Sequence, residues 1–163
     1  MKPLLILSLL CVPFVETAGA QPSMVVLPLQ TGKKIPTTVA QGYDKHLRKV
    51  AGQSAQVISL DKTSAAMNKA GVQEGCVTND CAKKMTDFSQ TRFALFSKVT
   101  NEDDIYKLKF VLYDGALSKR AATIESECEL CTSGEVRGTI AKAVAGFAKP
   151  MAVPAPRKTP KVV

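Results

Sequence analysis

Four cysteines in two close pairs, Cys76-x4-Cys81 and Cys128-x2-Cys131, are the residues of this 163-residue sequence whose type and spacing could do chemistry. Thiols so placed have three uses: two local disulfides, a dithiol redox couple, or a four-thiolate zinc site. Zinc requires the two pairs to converge in space. A redox couple needs a thiolate held by the amides of a helix start. Thr132-Ser133-Gly134-Glu135 reads as a capping box, which leaves both Cys128 and Cys131 ahead of the cap. Disulfides need only an oxidising compartment.

The amino-terminal segment implies that compartment. Lys2 is followed by an apolar run from Leu4 to Val15 and a small-residue exit, Thr17-Ala18-Gly19-Ala20, the layout of a signal peptide cut after Ala20. About a dozen apolar residues fall short of the roughly 20 that a bilayer crossing needs. Leu10 stands before Cys11, where a lipidated cysteine would want a small residue. Removing residues 1–20 takes Cys11 with them and leaves an even count. If Cys76 pairs with Cys81 and Cys128 with Cys131, each bridge closes a small loop and contributes on the order of 2 kcal/mol. The first would pin a helix break, and the second would pin a last strand to a last helix. The expected location is periplasmic or secreted.

Little else points to catalysis. His46 is the one histidine, and it sits on a basic helix without a nameable partner. Glu102-Asp103-Asp104 makes an acidic turn without calcium-loop spacing. Phosphate-cradling glycine loops, a Gly-x-Ser-x-Gly elbow and paired histidines are missing from the sequence. The expectation is a non-enzyme with no catalytic residue, resident metal or cofactor.

The formal charge is +8, and it stays so after export because Lys2 and Glu16 leave together. Export argues against nucleic acid as the polyanion, leaving anionic lipid, envelope polymers or acidic proteins. The candidate partner surface is Lys33, Lys34, Lys45, Arg48 and Lys49, with Arg157, Lys158 and Lys161 in a proline-rich tail. Oligomeric state is not legible.

The elements that must position these groups follow from periodicity. Ser23 to Gln30 is apolar on both faces and reads as a buried strand, with Pro28, which has no N–H to donate, near its end or turned with the missing donor away from a neighbour. Val39, Tyr43, Leu47 and Val50 at helical spacing predict an amphipathic helix ending at Gly52. Gln56 to Leu60 is a second strand, parallel to the first through a right-handed crossover. Residues 62–90 read as a helix broken at 71–77, with Thr78 or Asn79 capping the second piece. From Arg92 to Leu130 the period becomes two. A strand ending at the turn Asn101-Glu102-Asp103-Asp104 is followed by Tyr106, Leu108, Phe110 and Leu112 alternating with Lys107, Lys109, Val111 and Tyr113, then by Ala122, Ile124, Ser126 and Cys128 alternating with glutamates. Antiparallel pairing would set lysines opposite glutamates on a solvated face. Val136, Ile140, Val144 and Phe147 form the buried stripe of a final helix.

The result is an α/β (α+β) domain in the order β-α-β-α-β-β-β-α, with about five strands in a mixed sheet: a parallel first pair, an antiparallel meander and helices packed on the sheet. Its parts are a signal peptide over 1–20, one domain over 21–149, and a basic proline-rich extended tail over 150–163.

Val25-Val26-Leu27-Pro28-Leu29, Thr78-Asn79-Asp80-Cys81-Ala82 and Phe93-Ala94-Leu95-Phe96-Ser97-Lys98-Val99 resemble the amino-terminal domain of TolB. They are similar also to the related periplasmic domain of CsgG and LpoB-type proteins. The resemblance covers roughly residues 24–148. It implies a non-enzymatic envelope domain serving protein interaction, secretion or activation of wall enzymes, with an envelope protein or wall component as partner. The alternative from the residues themselves is a thiol-disulfide or metal-handling protein built on Cys128 and Cys131.

Overall fold

The computed structural model describes residues 21–73, 75 and 77–152. The expected signal peptide, Cys76 and the tail cations Arg157, Lys158 and Lys161 lie outside them. In chain order the elements are β1 (Ser23–Val26), β2 (Gln30–Thr31), α1 (Thr37–Ala51), β3 (Gln56–Val57), α2 (Leu60–Ala70), α3 (Asn79–Ser89), β4 (Phe93–Glu102), β5 (Ile105–Asp114), β6 (Lys119–Glu129), α4 (Ser133–Ala145) and α5 (Ala148–Met151). They build a six-stranded mixed sheet in the order β3-β1-β4-β5-β6, with β2 also beside β4. β1 is parallel to β3 and β4, and β4, β5 and β6 form the antiparallel meander.

The run expected as one strand over Ser23 to Gln30 is two, divided at Pro28. The Leu27 amide still donates to the Leu95 carbonyl at 3.0 Å. Pro28 has no donor, and the Leu29 amide leaves the ladder for Asp44 Oδ1 on α1 at 2.9 Å. Val26 stands opposite Leu95 but Gln30 stands opposite Lys98, so β1–β2 carries one residue more than β4 over the same stretch. That is a bulge, the usual place for proline inside a sheet.

The second expected strand is also shorter. Only Gln56 and Val57 pair, because Ser59 turns the chain into α2 and accepts the Lys62 amide at its N-cap. α2 therefore starts at Leu60 rather than past residue 62, and it ends at Gly71 with φ 61°, the left-handed stop that glycine permits. Thr78 is the cap of α3. The capping box at α4 is present, with Thr132 and Glu135 satisfying each other's backbone amides. After α4 the chain makes one further turn, α5, which buries Met151 against the core past residue 149.

Apolar side chains lie on both faces of the sheet. On the first, Tyr43 and Leu47 from α1, Val136 and Ile140 from α4, and Phe147 between α4 and α5 pack on Met24, Val26, Leu95, Leu108, Phe110 and Leu112. On the second, Ala66 and Met67 of α2 and Ala82 and Met85 of α3 pack on Val25, Leu27, Ala94, Phe96, Val111 and Tyr113. Each large apolar side chain removed from water in this way contributes about 1.5–3 kcal/mol. The turn after β5 approaches α3 so closely that a Cβ at Gly115 would stand 2.6 Å from Thr86 Oγ1. At the same corner Asp114, almost wholly buried, accepts from Arg92 Nη2 at 2.9 Å and from the Ala116 amide at 2.9 Å.

Candidate interaction surface

The sheet's second face is only half covered. Along β4 the side chains on that face run Ala94, Phe96, Lys98, Thr100 and Glu102, and along β5 they run Tyr113, Val111, Lys109 and Lys107. The change from apolar to charged marks where α2 and α3 stop. Beyond it Lys98, Glu102, Lys107 and Lys109 join Glu125 and Glu127 of β6 around a shallow concavity of about 520 Å³. The lysine-bearing face of β5 is solvated at Lys107 and Lys109 and covered at Val111 and Tyr113, which are buried.

Register decides the electrostatics of this half. Lys107 stands opposite Glu127 and Lys109 opposite Glu125, the lysine-to-glutamate pairing expected from the alternation. Lys109 reaches Glu125 at 2.7 Å, while Lys107 turns to Glu102 at 2.8 Å. Lys98 lies directly opposite Lys109, a like-charge pair that Glu125 relieves on one side. The hydrogen bond from Lys107, together with its charge, holds the Glu102 carboxyl below its ordinary pKa, and Glu102 raises Lys107 in return. The turn between β4 and β5 places Asp103 and Asp104 at φ 52° and 65°, a two-residue hairpin with both central residues left-handed.

The other candidate cations are dispersed. Lys34 pairs with Asp103 at that hairpin tip, 3.3 Å apart. Lys33 is exposed, as are Lys45 and Lys49, one turn apart on the outer surface of α1. Arg48 turns inward: its Nε donates to Asp44 Oδ2 at 2.9 Å and its side chain is only 15% exposed. His46 is half-buried, with Nε2 shielded from solvent. Neither the Arg48–Asp44 pair nor the Arg92–Asp114 pair was legible beforehand. For the first, the i,i+4 spacing of Asp44 and Arg48 is the one signal present in the sequence.

Cys128 and Cys131 are joined by a disulfide, with Cα atoms 5.8 Å apart, that ties the end of β6 to the start of α4. Cys81 is disulfide-bonded as well. The turn between Cys128 and Cys131 is completed by Leu130 at φ 51°, whose amide donates to the Asp104 carbonyl. The site gives a thiolate little support: the Glu135 amide at the helix start is spent on Thr132 Oγ1, and the Glu135 carboxylate is held ionised by the Thr132 amide. Among the described residues, no group of three or more His, Cys, Asp or Glu is placed to hold a metal ion. No described helix is long and apolar enough to cross a membrane.

No protein-family profile matches the chain, and no curated protein matches it by sequence. Solved structures do match in shape. The LpoB C-terminal domain from Salmonella enterica superposes with a TM-score of 0.53 at 13% identity, over 70% of this chain and 87% of that one. Lipoprotein GNA1162 from Neisseria meningitidis gives 0.53 at 14% identity, over 78% and 96%. TolB from Acinetobacter baumannii gives 0.51 at 8% identity, over 79% of this chain and 28% of that longer one. The TolB and LpoB likeness seen in the sequence motifs therefore extends to the whole domain, and what this chain shares with LpoB, GNA1162 and TolB is their fold.

Proposed function

We propose that this chain is an exported accessory domain of a bacterial cell envelope that acts by binding an envelope protein or wall component rather than by catalysing a reaction. The observation that carries the reading is the fold match to the LpoB C-terminal domain and the GNA1162 lipoprotein, which spans 87% and 96% of those two chains. Support comes also from the disulfide between Cys128 and Cys131, which suits an oxidising compartment. The surface offered to the partner is the uncovered half of β4–β6. Lys98, Lys107 and Lys109 there stand beside the acids of β6, so a partner with its own alternating charges is selected by register more than by bulk attraction. Lys33, Lys34, Lys45 and Lys49 supply a basic periphery, and Arg157, Lys158 and Lys161 add to the positive charge of the chain.

The test is photo-crosslinking in intact cells of the native host, with the reactive residue placed in turn at Lys98, Lys107, Lys45 and Lys49. The expected result is a discrete protein or wall-polymer adduct from the sheet positions, in an extracytoplasmic fraction whose chain begins at Gln21. Adducts from none of the four positions under any growth condition, or a chain that retains residues 1–20 in the cytosol, would overturn the proposal.

A further inference from the structure

The two edges of the sheet are built differently. At one edge β3 pairs over Gln56 and Val57 alone, too short a stretch to template a further strand. At the other, β6 runs for 11 residues, contains no proline and has β5 as its one strand neighbour among the described residues. Its irregularity lies near the amino end, where Ala121 is the extra residue between the Tyr113–Arg120 and Leu112–Ala122 pairs. From Ala122 to Glu129 the ladder is regular.

The direction of the free backbone groups follows from that ladder. The Leu130 amide donates to the Asp104 carbonyl at 3.0 Å. Antiparallel pairs alternate between hydrogen-bonded and non-hydrogen-bonded, so Cys128, Ser126, Ile124 and Ala122 bond to β5. The N–H and C=O groups of Glu129, Glu127, Glu125 and Thr123 point away from it. Among the described residues no loop or helix hydrogen-bonds to them. α4 covers β6 from the first face, where a Cβ at Gly146 would meet Ile124 Cδ1, while Thr123, Glu125, Glu127 and Glu129 are all exposed.

Charge is split along the strand, with Lys119 and Arg120 at its start and Glu125, Glu127 and Glu129 toward its end. Glu125 is engaged by Lys109. Lys119, Arg120, Glu127 and Glu129 have no ion pair among the described residues. A strand with this layout complements itself when reversed. Antiparallel pairing about a two-fold axis at Ile124 sets Thr123 opposite Glu125 and brings Lys119 and Arg120 of each copy alongside Glu127 and Glu129 of the other. Moving the axis to Glu125 would set that glutamate against itself, and moving it to Ser126 would set Glu125 opposite Glu127, both penalised by like-charge repulsion.

From this layout we infer that β6 is an interface between copies of this chain: two molecules join antiparallel along β6, about a two-fold axis at Ile124, into one continuous sheet. The inference does not rest on the proposed envelope role. It adds to the open half of β4–β6 two cations of the second copy, beside acids that the lysines of the same chain leave unpaired.

The test is sedimentation equilibrium of the exported chain, residues 21–163, together with amide hydrogen exchange read by NMR. The expected result is a reversible dimer with a Kd on the order of 10 μM, as suits a small interface. Exchange at the Thr123 and Glu125 amides should slow at least about tenfold between dilute and concentrated solution. Thr123→Pro removes an amide that β5 does not use, so it should keep the circular dichroism of the native chain and weaken the dimer at least about tenfold. Charge exchange separates pairing from folding. A chain with Lys119→Glu and Arg120→Glu, and another with Glu127→Lys and Glu129→Lys, should each be monomeric alone and form a mixed dimer when combined. A native chain that stays monomeric up to about 1 mM, a dimer in which the Thr123 and Glu125 amides exchange as fast as in dilute solution, or charge-exchanged chains that do not prefer each other would each overturn the inference. Slow exchange of those amides in the dilute monomer would put another segment of the chain, such as residues 153–163, on the edge and overturn the second copy as its occupant.

Discussion

The two halves of the sheet's second face are made by the same strands and differ in what lies above them. Under α2 and α3 the face is Ala94, Phe96, Val111 and Tyr113, all buried. A few residues further along those strands it is Lys98, Lys107 and Lys109 with Glu102, Glu125 and Glu127, open to water. One half holds the fold together through area removed from water. The other half contributes little to stability, because exposed ion pairs are worth only about 0–1 kcal/mol each. It is therefore the half that can change its side chains without changing the fold, which suits a surface that recognises a partner.

That contrast is sharpened by substitutions whose effects should fall in order. Phe96→Ala in the covered half removes a fully packed ring and should cost about 3–5 kcal/mol, read as a lower urea midpoint at unchanged slope. A loss below about 1 kcal/mol would mean that the covered half is not packed as described. Gly115→Ala comes next. A methyl there meets Thr86 at 2.6 Å to Oγ1 and 2.7 Å to Cβ, and the forced shift of α3 should cost about 1–3 kcal/mol, with Thr86→Ala in the same chain, which removes Oγ1, restoring part of it. The smallest effect belongs to the open half. A double-mutant cycle on Lys109 and Glu125 should return a coupling of about 0.2–1 kcal/mol that shrinks in high salt. On the same surface Glu102 has a lowered pKa, so its contribution is present above the unfolded carboxylate value and is lost as pH falls through the folded one. Comparing denaturation of the native chain and Glu102→Gln at neutral and acid pH should show this acid-side loss in the native chain and not in the variant.

Legibility followed the same division. α1, α4 and the β4–β6 meander were visible in the spacing of apolar residues, because that spacing repeats over several turns or pleats, and α3 was visible through its cap at Thr78. The lysine-to-glutamate register was visible too, and Lys107 and Lys109 do stand opposite Glu127 and Glu125. Short elements were the ones misjudged. Ser23 to Gln30 looks continuous in hydrophobicity, and only the missing N–H of Pro28 and the capture of the Leu29 amide by Asp44 divide it. Leu60 looks like a strand residue until Ser59 is seen to cap α2. Arg48 was grouped with Lys45 and Lys49 because charge patterning does not tell an outward cation from one that turns in to a neighbour one helical turn away. That β6 ends the sheet left no mark in the sequence, since strand order is set only when strands far apart in the chain meet.

What the sequence determined by itself is therefore local and periodic: the type of each long element, the caps at Thr78 and Thr132, and the sulfur spacing that allows Cys128 to close on Cys131. The tertiary structure alone decided how far α2 and α3 extend over the sheet, and on which sides of it α1 and α2 depart. The reason is that periodicity records which face of an element is buried but not what buries it. Where two elements end relative to each other depends on packing between residues far apart in the chain.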